Sequence, residues 1–163
     1  MDRLDPDLHE AMTVNTIQTT FANAMKSLGL TKKGGAWYLH SDDTVLVVEL
    51  QKSNFGLTYF VNVAVWLRSL GDSHFPKEHA CHIRTRLGEL VADPERIAEL
   101  LDLERSVDDL QRADELEAEL TTTLRWVFEA TDSLGALSSK AGDRLRDHSL
   151  VTGAAQRLIA GEP

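Results

Sequence analysis

The side chains best suited to chemistry crowd into one stretch. His74, His79, Cys81 and His82 lie within nine residues, with Arg84 and Arg86 just beyond. Imidazole and thiolate are good zinc ligands, but a structural zinc site draws on four ligands at paired spacing. Here the spacing is irregular and has no second half, so these histidines read as ordinary loop and strand residues and no metal is expected. A nucleophilic Cys81 would need a lowered pKa and an oriented base. His82 does not supply that base by being adjacent, because neighbours on a strand point to opposite faces. Cys81 therefore reads as a buried structural thiol. The chain has no Walker-type loop and no G-x-S-x-G, H-E-x-x-H or C-x-x-C sequence. Gly34-Gly35 lacks the further spacing of a phosphate cradle and reads as a turn. No cofactor is expected, and enzymatic activity is left open with the balance against it.

The arginines are more informative. If residues 81–87 form a strand, His82, Arg84 and Arg86 project from one face, while Cys81, Ile83, Thr85 and Leu87 enter the core from the other. The same period puts Glu49 and Gln51 opposite Leu46, Val48 and Leu50, and places Asn62 on the polar side of its own strand. Glu49, Gln51, Asn62, His82, Arg84 and Arg86 thus gather on one sheet face. Two readings follow. In one, the cluster satisfies itself: Glu49 pairs with one arginine and the amides bond the other, since an unpaired buried arginine costs about 3–5 kcal/mol. In the other, two guanidinium forks grip a carboxylate or phosphate.

The positioning elements are legible from periodicity. Residues 1–12 are a polar lead-in. Thr13 is placed to cap a helix whose buried face is Val14, Ile17, Phe21, Met25 and Leu28, with Gly29 closing it. Three strands follow, Ala36 to His40, Thr44 to Lys52 and Leu57 to Leu67, separated by Ser41-Asp42-Asp43 and Asn54-Phe55-Gly56 turns. In the third, Leu57, Tyr59, Val61, Val63, Val65 and Leu67 share an apolar face that should meet the helices. Thr58, Phe60, Asn62, Ala64 and Trp66 share a mixed face, either partly covered or the wall of a groove. Residues 68–80 are a long connection to the fourth strand. Asp93-Pro94-Glu95 starts a helix. Ser106 to Asp109 opens a longer one reaching about Ala130, with Leu110, Ala113, Leu116, Leu120, Leu124 and Val127 as its buried stripe. Residues 131–163 are helical fragments interrupted by Gly135, Gly142 and Gly153. The fold class is α+β: an N-terminal helix, an antiparallel meander of about four strands, and C-terminal helices packed on the sheet.

At 163 residues the chain reads as one domain, 1–163, able to bury a core without disulfides. Seventeen Lys and Arg against 26 Asp and Glu give a net charge of −9, which disfavours nucleic-acid backbones and suits a basic protein partner or simple solubility. Asp108, Asp109, Asp114, Glu115, Glu117 and Glu119 form an acidic half of the long helix, a solvated face or a docking surface. A single cysteine, no signal peptide and no membrane span point to the cytoplasm.

Three stretches resemble the bacterial domain-of-unknown-function family 4304. They are Leu28-Gly29-Leu30-Thr31-Lys32-Lys33-Gly34 with Trp37-Tyr38; Leu50-Gln51-Lys52-Ser53 with Val61-Asn62-Val63; and Phe75-Pro76-Lys77-Glu78 with the run from Cys81 to Leu90. The resemblance covers roughly 13–137 as a core and leaves 138–163 as a C-terminal helical extension. Family members often carry a tryptophan pair after the Arg-Leu-Gly segment, where this chain has Val91-Ala92-Asp93-Pro94. The resemblance implies an α+β domain in a bacterial setting, with no established activity, substrate or cofactor. It also implies that Gln51, Lys52, Ser53, Asn62, His82, Arg84 and Arg86 belong together.

Three functions are consistent with these observations. The leading one is a non-enzymatic binding domain, with an immunity or antitoxin-like inhibitor of a basic toxin as its specific form. The second is a small-molecule sensor or enzyme, with Arg84 and Arg86 holding an anion, Gln51 and Asn62 orienting it and His82 moving a proton. The third is a homodimer anchored by Trp66 and Phe60, joined by Trp37 if its strand has the right phase; alternatively these aromatics pack under the C-terminal helices.

Overall fold

The computed structural model describes residues 14–162. The polar lead-in of residues 1–12 and the capping role of Thr13 lie outside the described residues. Helix α1 (Thr16–Ser27) starts on Asn15. The Asn15 side chain accepts from the Gln18 N–H, and the Gln18 side chain accepts from the Asn15 N–H, satisfying two orphan donors reciprocally. Ile17, Phe21 and Met25 are buried as their spacing predicts, but Val14 precedes the cap and is 67% exposed. Gly29 ends the helix at φ +88°, a conformation that favours glycine.

The sheet is an unbroken antiparallel meander of six strands in chain order: β1 (Thr31–Lys33), β2 (Ala36–His40), β3 (Thr44–Lys52), β4 (Tyr59–Leu67), β5 (Ile83–Arg86) and β6 (Leu150–Val151). The expectation of about four strands missed both edges. β1 is a wholly exposed Thr-Lys-Lys with no apolar alternation to betray it, and β6 is a two-residue strand within the segment read as helical. β4 begins two residues later than its β-branched run suggested. Its leading backbone bonds go elsewhere: the Leu103 N–H donates to Leu57 O at 3.2 Å and the Tyr59 N–H to Leu101 O at 2.8 Å.

One face of the sheet carries the main core. Leu46, Val48, Tyr59, Val61, Val63, Val65 and Leu67 meet the buried faces of the helices, as the alternation predicted. Trp37 belongs to this core as well, registered against Val48, so it is not on the mixed face. Helix α2 (Pro94–Leu100) is capped by Asp93 with proline in its first turn. The long helix α3 (Asp109–Thr131) is capped by Asp108 and packs against α1. Leu116, Leu120, Leu124 and Val127 are buried along it, whereas Leu110 is 77% exposed and Ala113 half-buried.

Arg112, 2% exposed, takes the buried place instead. Its Nη1 donates to the carbonyls of Glu99, Leu100 and Asp102 at 3.1, 2.7 and 3.1 Å, and its Nη2 to that of Arg105 at 3.0 Å. These carbonyls end α2 and line the turn after it, where the helix dipole favours a cation. A buried charge is thus compensated without a carboxylate.

The C-terminal segment comprises α4 (Leu134–Leu137), α5 (Lys140–Asp147), β6 and α6 (Gly153–Ile159). Leu134 N–H donates to Asp43 Oδ2 at 2.9 Å and Thr44 Oγ1 to Thr131 O at 2.6 Å, anchoring the start of this segment to the β2–β3 hairpin. Helix α5 packs on α3, and a Cβ at Gly142 would sit 2.1 Å from Leu137 O, so α4 and α5 touch at glycine. Among the described residues no helix is long and apolar enough to cross a membrane.

Replacing Arg112 with Met keeps the volume but strands the carbonyls it serves. Urea unfolding is expected to show a loss of about 3 kcal/mol, whereas Leu110→Ala on the exposed side of the same helix should lie within about 0.5 kcal/mol of wild type.

Candidate functional site

The mixed sheet face is divided in two. Over one half lies the connection from β4 to β5, residues 68–82, covering Ala36, Tyr38, Val45, Val47 and Ala64. Three bonds hold it down: Tyr38 OH donates to Pro76 O at 3.1 Å, His40 Nε2 to His74 O at 2.6 Å and Trp66 Nε1 to Gly71 O at 3.0 Å. Within the connection Cys81 Sγ donates to Lys77 O at 3.4 Å. Phe75 packs edge-on against Tyr38. Cys81 therefore faces this second cluster, not the main core with Ile83. It follows the 3-10 turn Glu78–Ala80 and lies outside the alternation of β5, which starts only at Ile83. Trp66 is covered by this connection and Phe60 by an arginine, so neither packs under the C-terminal helices.

The other half is polar and open. The register places Glu49, Asn62 and Arg86 in one row across β3, β4 and β5. Asn62, 4% exposed, is the hub. Its Nδ2 donates to Gln51 Oε1 at 2.8 Å and Glu49 Oε1 at 3.3 Å, and its Oδ1 accepts from Arg86 Nε at 3.2 Å. The Arg86 guanidinium lies 4.2 Å over the Phe60 ring, a cation–π seat, and neither of its terminal nitrogens has a hydrogen-bond partner among the described residues. Arg84 pairs with Glu78, Nε to Oε1 at 3.1 Å and Nη2 to Oε2 at 3.4 Å. The expected Glu49–arginine pair does not form, and Glu78 was the acid that the strand phases could not see, because it sits in the 3-10 turn before β5. Among the described residues Arg86 has no carboxylate partner.

A cleft of about 490 Å³ opens beside this row. The sheet supplies Gln51, Asn62, Arg84, Thr85 and Arg86 to it, and Glu78 and Glu89 flank them. The facing wall is Asp147 to Leu150, where α5 runs out into β6. Thr85 Oγ1, expected in the core, instead donates to His148 O at 2.7 Å and fixes that wall to the sheet, while Ser149 Oγ donates to Leu145 O at 2.6 Å within the C-terminal segment itself. Sequence patterning missed the second wall because residues 147–150 carry no periodic signal of their own.

Of the seven predicted residues, the structure brings Gln51, Asn62, Arg84 and Arg86 to the cleft. Lys52 pairs with Tyr59 and so points to the opposite face. Ser53 is taken up in its own turn, its Oγ accepting from the Phe55 N–H at 3.0 Å. His82 sits beyond the other end of β5 with its ring against Trp66, and its Nδ1 accepts from the Leu67 N–H at 2.9 Å. Burial lowers its pKa, favouring the neutral ring. Among the described residues no three His, Cys, Asp or Glu side chains come together to hold a metal.

A family model described as Domain of unknown function (DUF4304) matches residues 21–130, more than half of the chain. No curated protein and no solved structure matches it. The family match therefore spans the sheet wall of the cleft and stops before the wall formed by Asp147 to Leu150.

Burial, with a contribution from Glu78, pushes the Cys81 thiol up from 9.0 to about 12. Between these values the unfolded chain has lost a proton that the folded one keeps, so stability falls as pH rises from about 9 towards about 12. Tyr38, raised chiefly by burial, adds to the slope. Urea unfolding at stepped alkaline pH is expected to show this decline, shallower in Cys81→Ala, and iodoacetamide at pH 8 should label Cys81 only upon unfolding.

Proposed function

The chain belongs to the family described as Domain of unknown function (DUF4304), and we propose that within it this protein is a binding domain whose cleft takes a small ligand through a carboxylate or phosphate. The observation that carries the reading is the state of Arg86. Its Nε is held by Asn62, its plane is seated on Phe60, and it has no carboxylate among the described residues. A planar fork fixed on one side and open on the other suits bidentate capture of an anion. Arg84 is already occupied by Glu78 and serves as a wall. The cleft volume lies in the range of small-molecule sites. Binding is favoured over catalysis because His82, the candidate proton carrier, has its Nδ1 engaged by the backbone and lies outside the cleft, and the imidazole that does line it, His148, is exposed with no group among the described residues orienting its ring.

A second reading rests on the helical side. Between Asp93 and Glu119 stand eleven Asp and Glu against three Arg. Of those arginines Arg112 is buried and Arg96 is tied to Glu99 and Glu115. The remaining acidic surface, with Leu110 exposed in it, favours a basic protein partner, the surface an inhibitor of a basic toxin would use.

The first reading is tested by titrating inorganic phosphate and succinate into isotopically labelled protein at low ionic strength. The amides of Gln51, Asn62, Thr85, Arg86 and Ser149 are expected to shift, and Arg86→Gln to weaken the response at least tenfold. Shifts confined to other surfaces, or an unchanged response in Arg86→Gln, would overturn it.

A further inference from the structure

The cleft presents unpaired groups of both signs, and the geometry points to a bipolar ligand: an aliphatic or peptide-like molecule with an anionic group at one end and an ammonium at the other. This inference rests on the reading of Arg86 as the anion contact. On the sheet side Arg86 presents an open guanidinium fork. Around it the cleft is lined by Glu89 and Asp147, both exposed and neither in an ion pair among the described residues. Glu78 is different, since Arg84 neutralises it. Beside the His148 imidazole, what the cleft offers a ligand is therefore one unpaired guanidinium and two unpaired carboxylates. A polyanion such as a nucleoside diphosphate would meet Arg86 with its first charge and be repelled by Glu89 and Asp147 with the rest, within a chain of net charge −9. A molecule with separated opposite charges satisfies both. Leu150, 75% exposed, gives the wall bearing Asp147 an apolar surface for the methylene chain between them.

The ammonium side draws on a residue outside the family match. Glu89 lies inside residues 21–130 and Asp147 beyond them. In this chain the shared domain supplies the anion contact, and the C-terminal segment completes the recognition of the opposite end.

Three matched pairs of probes separate the two poles: β-alanine against propionate, 4-aminobutyrate against butyrate, and 6-aminohexanoate against hexanoate. Each pair shares a carboxylate and chain and differs by the ammonium. Affinities are read from amide shifts in the full chain at low ionic strength. At least one amino acid is expected to bind roughly fivefold more tightly than its partner, the weight of a partly exposed ion pair. Glu89→Gln with Asp147→Asn should erase that preference while leaving the carboxylate response intact, which also reports a folded cleft. Arg86→Gln should weaken both members of the pair. Equal affinities within every pair, with Arg86→Gln still abolishing binding, would overturn the bipolar ligand and leave the anion contact standing. No shift at the cleft with any probe would overturn both.

Discussion

The open half of the sheet depends on one buried amide. Asn62 sits on the central strand of a three-strand row and is almost fully enclosed, so its oxygen and nitrogen must both be used. Two acceptors on β3, Glu49 and Gln51, claim the nitrogen, and that forces the oxygen towards β5, where it takes the Nε of Arg86. Glu49 is thereby drawn to an amide and not to a guanidinium. This is why the row does not close on itself as an ion pair and why Arg86 keeps a free edge. An aspartate here would have paired with the arginine and repelled Glu49; a leucine would have left Gln51, Glu49 and Arg86 unheld.

Around that amide the sheet's second face is used twice. A long connection covers its apolar half and is tacked down by backbone carbonyls accepting from Tyr38, His40 and Trp66. The polar half stays open because β5 is short and β6 shorter, so the chain beyond them can stand off and form a cleft. The C-terminal segment is held in that position from both ends, by Asp43 and Thr44 near its start and by Thr85 at His148. Its placement determines what faces Arg86.

Much of this was written in the alternation of the strands. The two-residue period of β3 and β4 put Gln51 and Asn62 on one face with Arg84 and Arg86, and it separated them from the core valines. Where period gave way to local geometry, the reading failed. Cys81 follows a 3-10 turn and so is out of phase with the strand it precedes. Lys52 and Ser53 sit next to Gln51 in sequence, yet one points to the other face and the other closes a turn. Arg112 looks like a surface charge by residue type, although its spacing to Leu116 sets it on the buried face, and only the carbonyls ending α2 make its burial tolerable. Leu110 looks like core and is solvent-exposed because Arg112 occupies the inward position. Glu78, Asp147 and His148 lie in turns and helix ends, which carry no periodic signature.

The central claim is that a small anion-bearing ligand is held by Arg86. The most direct measurement is a native mass spectrum of the protein purified gently from its own host, beside the Arg86→Gln variant treated identically. The account predicts an added mass of the order of a few hundred daltons, fitting a cleft of about 490 Å³, that is lost in the variant. An adduct retained undiminished by Arg86→Gln, or a partner of several kilodaltons with no small adduct, would contradict it.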